Sequence, residues 1–377
     1  MRALEPVAAD DLEAVVRAVR AALDGSGPAV APGLEVEPGR SVPRRLALVL
    51  GTSGTSGRPK RVMLSAEALL TSAAATEGAL GGPGAWVLAL PTHYVAGIQV
   101  VVRSITAGAD PCPVPRGSFS ATGFADAVRA LPADRRRYSA LVPTQVHRLV
   151  EAVEHEDAAV ADAVRSLDAV LVGGGRLDAA LAERARAAGL PVVRTYGATE
   201  TAGGCVYDGV PLAGVAVRVV DGEVQLAGPV LAEGYLDDPE RTAAVFPDEA
   251  GRRWYRTGDA GSWNGGRLAV SGRLDDVIVS GGEKVSLQAV QAVVREAGVP
   301  DAVVVAVPDE EWGDVPVVVT ETTIAVPDLP ALRRTVGAQL GRAAAPFSLL
   351  VRPIPLLPSG KPDLRRLRAE LSGSQPD

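Results

Sequence analysis

The sequence predicts an α/β protein: a large N-terminal domain with mainly parallel sheets and a small β-rich subdomain, followed by a small α+β C-terminal domain. Three observations predict this. A short apolar strand, a glycine- or hydroxyl-rich loop and a helical stretch recur in that order through the first half of the chain. From about Gly203 to Val270 the pattern changes to short β-rich pieces, and beyond Arg273 helical and strand-like segments alternate again. At 377 residues the chain can bury a large core and divides into two or three domains, drawn here as 1–272 and 273–377 with the β-rich subdomain at about 203–272.

The first 25 residues read as an amphipathic helix, with Leu12, Val15, Val16, Val19 and Leu23 on one stripe. Gly25 to Arg40 is rich in glycine and proline and reads as a connecting loop. RLALVLGTSGTSG is then an apolar strand running into a glycine and hydroxyl loop, followed by a helix over Ser65–Leu80. The same order recurs at AWVLALPTHYVAG, at YSALVPTQVHRLVEAV and at LDAVLVGGGRLDAALAERARAAG. GVAVRVVDGEVQLAGPV and RLAVSGR supply the β-rich pieces, as a small antiparallel or barrel-like subdomain. After them SLQAVQAVVREAG is helical, DAVVVAVPD and VPVVVTETT are strands, and LPALRRTVGAQLG is helical.

Composition excludes several function classes. Hydrophobic residues make up 47% and charged residues 22%, as in a soluble globular protein, and no apolar run approaches the ~18 residues that span a bilayer. The acidic residues near the start argue against a secretory signal, so a cytoplasmic protein without membrane insertion is expected. Two cysteines, Cys112 and Cys205, give no disulfide framework, and with His93, His147 and His155 they give no zinc-ligand spacing. A net charge of −7 argues against nucleic-acid binding, and the run Arg135–Arg137 reads as a solvated helix end.

Only three lysines stand against 35 arginines, and each lies within three residues of a glycine in a turn-like segment: Lys60, Lys284 and Lys361. A lysine surviving in such a composition marks a place for a compact, rotatable ammonium rather than a planar fork, as phosphate and acyl-phosphate chemistry require. The loop from Thr52 to Lys60 is not the P-loop of nucleotide hydrolases. It reads as a phosphate cradle nonetheless, with a flexible Gly/Ser linker as the competing reading: Gly51, Gly54 and Gly57 let backbone N–H groups converge on an anion, and Thr52, Ser53, Thr55 and Ser56 add hydroxyl donors.

That loop resembles the phosphate loop of the adenylate-forming superfamily, which includes acyl-CoA synthetases, luciferases and peptide-synthetase adenylation domains. Further signatures follow in the family's order. Tyr196-Gly197-Ala198-Thr199-Glu200 is similar to its Y-G-x-T-E motif and Tyr255-Arg256-Thr257-Gly258-Asp259 to its Y-R-T-G-D motif. Gly272-Arg273-Leu274-Asp275-Asp276 resembles its hinge motif and Pro358-Ser359-Gly360-Lys361 its catalytic-lysine motif. One such string is weak; five in order between residues 52 and 361 are specific.

The resemblance implies ATP, Mg²⁺ and CoA as reaction partners of a small carboxylic acid, with adenylation followed by thioesterification. Lys361 would bridge the carboxylate and the α-phosphate. Glu200 would bind Mg²⁺ with help from Thr199, magnesium preferring hard oxygen ligands. Asp259 would accept hydrogen bonds from the ribose hydroxyls, with Arg273 assisting. Gly173, Gly174 and Gly175 would leave room for the flat adenine and Tyr196 would line it, although an aromatic in an apolar strand is as readily a core residue. The C-terminal domain would be mobile, turning about Asp275 so that the loop with Gly281, Gly282 and Lys284 lines a thiol channel. An ordinary hairpin turn is the competing reading of that loop.

The phosphate loop starts near residue 52, a hundred or more residues earlier than in most of the family, so an N-terminal subdomain is expected to be largely missing. Compact chains of this kind resemble the o-succinylbenzoate–CoA ligases of menaquinone biosynthesis in high-GC bacteria, through LVPTQVHRL, LVGGGRLD and RTYGATETAGGCVYDG. Leu90-Pro91-Thr92-His93-Tyr94-Val95-Ala96-Gly97 departs from the family's L-P-x-F-H-x-x-G. Both His93 and Tyr94 are therefore candidates for the acyl-pocket gate, with a buried structural histidine as the competing role of His93. Arg194, Thr195 and Thr201 are further candidates for an acidic, aromatic substrate. Two alternatives stand: another aryl- or acyl-CoA ligase or free-standing adenylation domain, and, from another class, an inactive nucleotide-binding regulatory protein. The sequence leaves the oligomeric state open, a homodimer included.

Overall fold

The computed structural model describes residues 1–52, 60–175, 177–274, 276–323, 326–356 and 362–373. Two compact units emerge. The first comprises Met1–Arg218, Gln225–Arg256 and Trp263–Leu268, and the second Val219–Val224, Thr257–Ser262 and Ala269–Asp377.

The first unit holds two mixed sheets. One runs in the order Gly234–Tyr235, Lys60–Ser65, Leu46–Thr52, Ala29–Pro32, Arg2–Val7, Ser41–Val42. Its centre is dry: Leu46, Ala47, Leu48, Val49 and Leu50 are all fully buried, which is why this strand is one unbroken apolar run. The other runs in the order Val210–Pro211, Gly203–Tyr207, Val192–Ala198, Ala169–Val172, Arg136–Leu141, Gly84–Leu88, Cys112–Pro113. From Val192–Ala198 to Cys112–Pro113 its pairings are parallel, and Gly203–Tyr207 adds to Val192–Ala198 antiparallel. Helices Ala121–Arg129, Pro143–Glu154, Ala158–Arg165 and Ala179–Ala187 pack Phe124, Val146, Leu149, Val160 and Leu181 into one cluster with Val87, Leu141 and Val170 of these strands.

The structure corrects several local expectations. The chain opens with a strand, Arg2–Val7, and the helix begins only at Leu12, where the Asp11 carboxylate accepts the Ala14 N–H. That helix buries Val15, Val19 and Ala22, while Leu12, Val16 and Leu23 are half-buried. The expected loop Gly25–Arg40 contains the buried strand Ala29–Pro32, paired parallel to Arg2–Val7; its apolar run is only four residues long and ends on proline. The residues after the phosphate loop do not pass straight into a helix. Lys60–Ser65 first returns as a strand antiparallel to Leu46–Thr52, with Thr52 opposite Lys60, and only then does Ser65 cap the helix Ala66–Leu80. The loop therefore joins two antiparallel strands. Arg136 and Arg137 open the strand Arg136–Leu141 rather than ending a helix, because the next four residues are buried against both neighbouring strands.

The second unit builds its core from the helix Leu287–Glu296, the helix Leu329–Leu340 and strands Val303–Asp309, Gly313–Thr320 and Val277–Ser280, around Val290, Val294, Val304, Val318, Leu332 and Val336. Val303–Asp309 and Gly313–Thr320 pair antiparallel along their whole length, and Ser348–Val351 joins the latter in parallel. Strands Glu223–Ala227 and Tyr255–Asn264 carry residues of both units. Among the described residues no helix is long and apolar enough to cross a membrane.

Candidate active site

The carboxyl ends of the parallel strands collect most of the expected site of the first unit, the edge at which open α/β sheets bind ligands. Gly84–Leu88 leads to His93, Tyr94 and Gly97; Ala169–Val172 leads to Gly173, Gly174 and Gly175; Val192–Ala198 carries Arg194, Thr195, Tyr196 and Gly197 and leads to Thr199 and Glu200. The second unit brings Asp259 and Arg273 together, with the guanidinium 3.3 Å from the carboxylate and 2.9 Å from the Thr257 carbonyl. Ser53, Gly54, Thr55, Ser56, Gly57, Asp275 and Lys361 lie outside the described residues.

Glu200 is a buried carboxylate. It sits in a 3₁₀ turn, Thr199–Thr201, and is 6% exposed. Its Oε1 accepts the Tyr235 hydroxyl at 2.8 Å and its backbone carbonyl accepts the Ala232 N–H at 2.8 Å. Burial first, and the Glu200 charge second, push the Tyr235 phenol well above its usual pKa, so it remains a donor. Lys60 places its ammonium 5.6 Å from the centre of the Tyr235 ring. Neither Tyr235 nor its link to Lys60 was legible in the sequence. A buried tyrosine must find a partner for its hydroxyl, but nothing local says that the partner lies 35 residues away.

The turn is braced from its other side as well. Ala202 adopts φ 49°, a left-handed conformation that favours glycine, and its carbonyl accepts both Gln99 Nε2 at 2.7 Å and Ser72 Oγ at 3.1 Å. Thr201 is fully buried, and its hydroxyl takes the Ala198 N–H at 2.9 Å and donates toward the Gly203 carbonyl at 2.8 Å. In this structure that hydroxyl closes the turn. Thr195 likewise spends its hydroxyl on the Val172 carbonyl, and a Cβ on Gly173 would come within 2.5 Å of it. Arg194 is exposed and paired with Asp208 at 3.0 Å.

The glycines divide by what they touch. A Cβ on Gly197 would meet the Gly203 carbonyl at 2.2 Å, and one on Gly97 the Pro91 carbonyl at 2.2 Å, so both allow backbone to approach backbone. Gly174 has φ 72° and is exposed at the strand end, as is Gly175. Gly281 and Gly282, with φ 55° and 84°, form a two-residue hairpin turn between Val277–Ser280 and Glu283–Ser286, and Lys284 extends from it exposed. His93 and Tyr94 pack ring to ring at 4.2 Å. Tyr94 is 40% exposed at the start of helix Val95–Thr106, whereas His93 is half-buried and its pKa is lowered by that burial. Burial raises the Cys205 thiol to about 12, which leaves it inert.

The donor set suits magnesium. That ion takes one or two carboxylates and completes its shell with water and phosphate oxygens. Glu200 offers one such carboxylate, and among the described residues no group of three or more His, Cys, Asp or Glu side chains forms the enclosed cage of other metals.

Residues 5–236 match the profile of the AMP-binding enzyme family. A probable 2-succinylbenzoate–CoA ligase of Mycobacterium tuberculosis is 39% identical over 391 aligned residues, covering 99% of each chain. Wild-type E. coli MenE with a bound m-phenylether-linked analogue of OSB-AMS superposes with a TM-score of 0.68 at 28% identity, covering 98% of this chain and 82% of that one. The amide bond synthetase McbA of Marinactinospora thermotolerans superposes with a TM-score of 0.73 at 27% identity, covering 92% and 76%. Ordered motifs, the enclosed Glu200 turn and these likenesses agree: the chain belongs to the AMP-binding enzyme family.

Proposed function

We propose that the protein is an ATP-dependent 2-succinylbenzoate–CoA ligase, converting 2-succinylbenzoate, ATP and CoA to succinylbenzoyl-CoA, AMP and pyrophosphate in menaquinone biosynthesis. The observation that carries this reading is the 39% identity to a probable ligase of that name across 99% of both chains. ATP supplies the activating group: the acid's carboxylate oxygen attacks the α-phosphorus and pyrophosphate leaves. The thiol of CoA then attacks the acyl carbon and AMP leaves with the electron pair of the broken acyl–oxygen bond.

Within the first unit Lys60 and the hydroxyl loop before it hold the phosphates, and Glu200 with Thr199 would hold the cation. Magnesium, when bound, neutralises charge building on the phosphate oxygens. Tyr196 and Gly173–Gly175 border the base, and His93 and Tyr94 stand where the acid enters. In the second unit Asp259, oriented by Arg273, receives the ribose hydroxyls. Lys361 serves adenylation, and the turn at Gly281–Gly282 serves the thioester step.

The substrate's ketone and second carboxylate need partners, and leaving a buried polar group unpaired costs ~1–3 kcal/mol. Pyrophosphate release is therefore expected to favour 2-succinylbenzoate over benzoate or a medium-chain fatty acid by about tenfold to a hundredfold in kcat/KM. Equal turnover of the fatty acid would replace this reading with a general acyl-CoA ligase. Adenylation with transfer only to an amine, never to CoA, would favour the amide-forming reading that the likeness to McbA raises.

A further inference from the structure

A carboxylate that is to act on a cation gains from being held in one orientation, and the segment Ala232–Tyr235 holds Glu200. Ala232 donates its N–H to the Glu200 carbonyl, and three residues on Tyr235 donates its hydroxyl to Oε1. The segment is itself fixed. Gly234 and Tyr235 pair with Met63 and Val62 on the strand that begins at Lys60. Arg253 donates to the Ala232 and Glu233 carbonyls at 2.6 and 2.9 Å. The Tyr235 N–H is taken by Thr242 Oγ1 at 2.9 Å, and a Cβ on Gly234 would collide with that threonine at 2.3 Å. Tyr235 is 3% exposed, so no water competes with Glu200 for its proton.

We propose that Tyr235 is a positioning residue for the cation site. By occupying Oε1 it fixes the carboxylate plane and directs the remaining lone pairs of Glu200 toward the cation, and its strand couples that orientation to Lys60 at the end of the phosphate loop. The inference rests on the proposed role of Glu200. Partners that orient a metal-binding carboxylate are worth about 10- to 100-fold in metal affinity or activity.

The test is Tyr235→Phe in the full chain, which removes the hydroxyl and keeps the ring that packs on Phe246 and under Lys60. ATP binding is measured by calorimetry with Mg²⁺ and with EDTA, alongside the Mg²⁺ concentration that half-saturates pyrophosphate release. The expected result is a rise of about tenfold or more in the Mg²⁺ requirement, weaker Mg²⁺–ATP binding, unchanged ATP binding in EDTA, and no further effect of Tyr235→Phe when Glu200→Gln is already present. Equal loss of ATP affinity with and without Mg²⁺ would overturn the proposal. So would an unchanged Mg²⁺ curve, or a loss of folding alone, which would place the hydroxyl in the fold instead. The binding arms need no acid substrate, so they stand even if the wild-type protein releases no pyrophosphate with 2-succinylbenzoate, an outcome that would instead sink the proposed function.

Discussion

Two of the turns that carry motif residues are held in different ways. The turn at Thr199–Thr201 is fixed from outside: Tyr235, Ala232, Gln99 and Ser72, all far from the turn in sequence, each bond to Glu200 or Ala202. The turn at Gly281–Gly282 takes its shape from its own backbone, since two consecutive positive φ angles match the twist of the flanking strands, and it has a bond from outside, the Gly281 N–H to the Trp312 carbonyl at 2.8 Å. A site built in the first way keeps its geometry only while the surrounding core is intact. One built in the second keeps it as long as its residues tolerate the left-handed region.

The contrast can be broken most forcefully at Gly197. Ala there sets a Cβ 2.2 Å from the Gly203 carbonyl and 2.8 Å from the Gly204 Cα, where backbone must move on both strands beside Glu200. We expect a loss of about 3 kcal/mol, the upper end of overpacking penalties, and a fall in pyrophosphate release greater than the lost stability explains. Thermal denaturation and initial rates check it. A stable, fully active Gly197→Ala protein would mean the turn does not depend on its surroundings.

At the second turn the expected effects are smaller and depend on which glycine is changed. A Cβ on Gly282 meets nothing within 4 Å, so Gly282→Ala costs only the left-handed conformation, about 1–2 kcal/mol. Gly281→Ala adds a contact at 2.8 Å with the Trp312 ring and should cost more. Gly282→Asn, which tolerates that region, should be close to neutral in Tm. A bulky residue at either glycine would strain the hairpin itself, apart from any effect on the proposed thiol channel. Thioester yield is therefore best compared between Gly282→Asn and wild type.

The smallest effect is expected at His93. Burial lowers its pKa below the ordinary value near 6.5. The folded state thus binds fewer protons than the unfolded chain as pH falls through about 6.5, and stability drops there, while above it both states are neutral and pH has no leverage. His93→Asn should make Tm fall less steeply between about pH 7.5 and about pH 5; an unchanged slope would show that the ring titrates as in water.

Much of this architecture is legible in the chain's local patterns. The strand, loop and helix order, the α/β class and the ordered motifs follow from them: apolar runs set strands, glycines set turns, and a side chain's chemistry is independent of its neighbours. The short buried strand Ala29–Pro32 escaped, because four apolar residues ending on proline carry no periodicity. So did the strand Lys60–Ser65, whose short apolar run Val62–Leu64 is followed directly by the helix Ala66–Leu80. Thr195, Thr201 and Arg194 show the same limit at the site. Their chemistry suits a polar substrate, but the fold turns two hydroxyls onto backbone carbonyls and leaves the arginine at the surface with Asp208. The sequence by itself determined which groups are available and in what order, since those depend on covalent chemistry and short-range sterics. Only the tertiary structure decided that Tyr235 meets Glu200 and that Gln99 and Ser72 share one carbonyl, because hydrogen bonds between distant segments form only after the packing of buried strands and helices has brought them together.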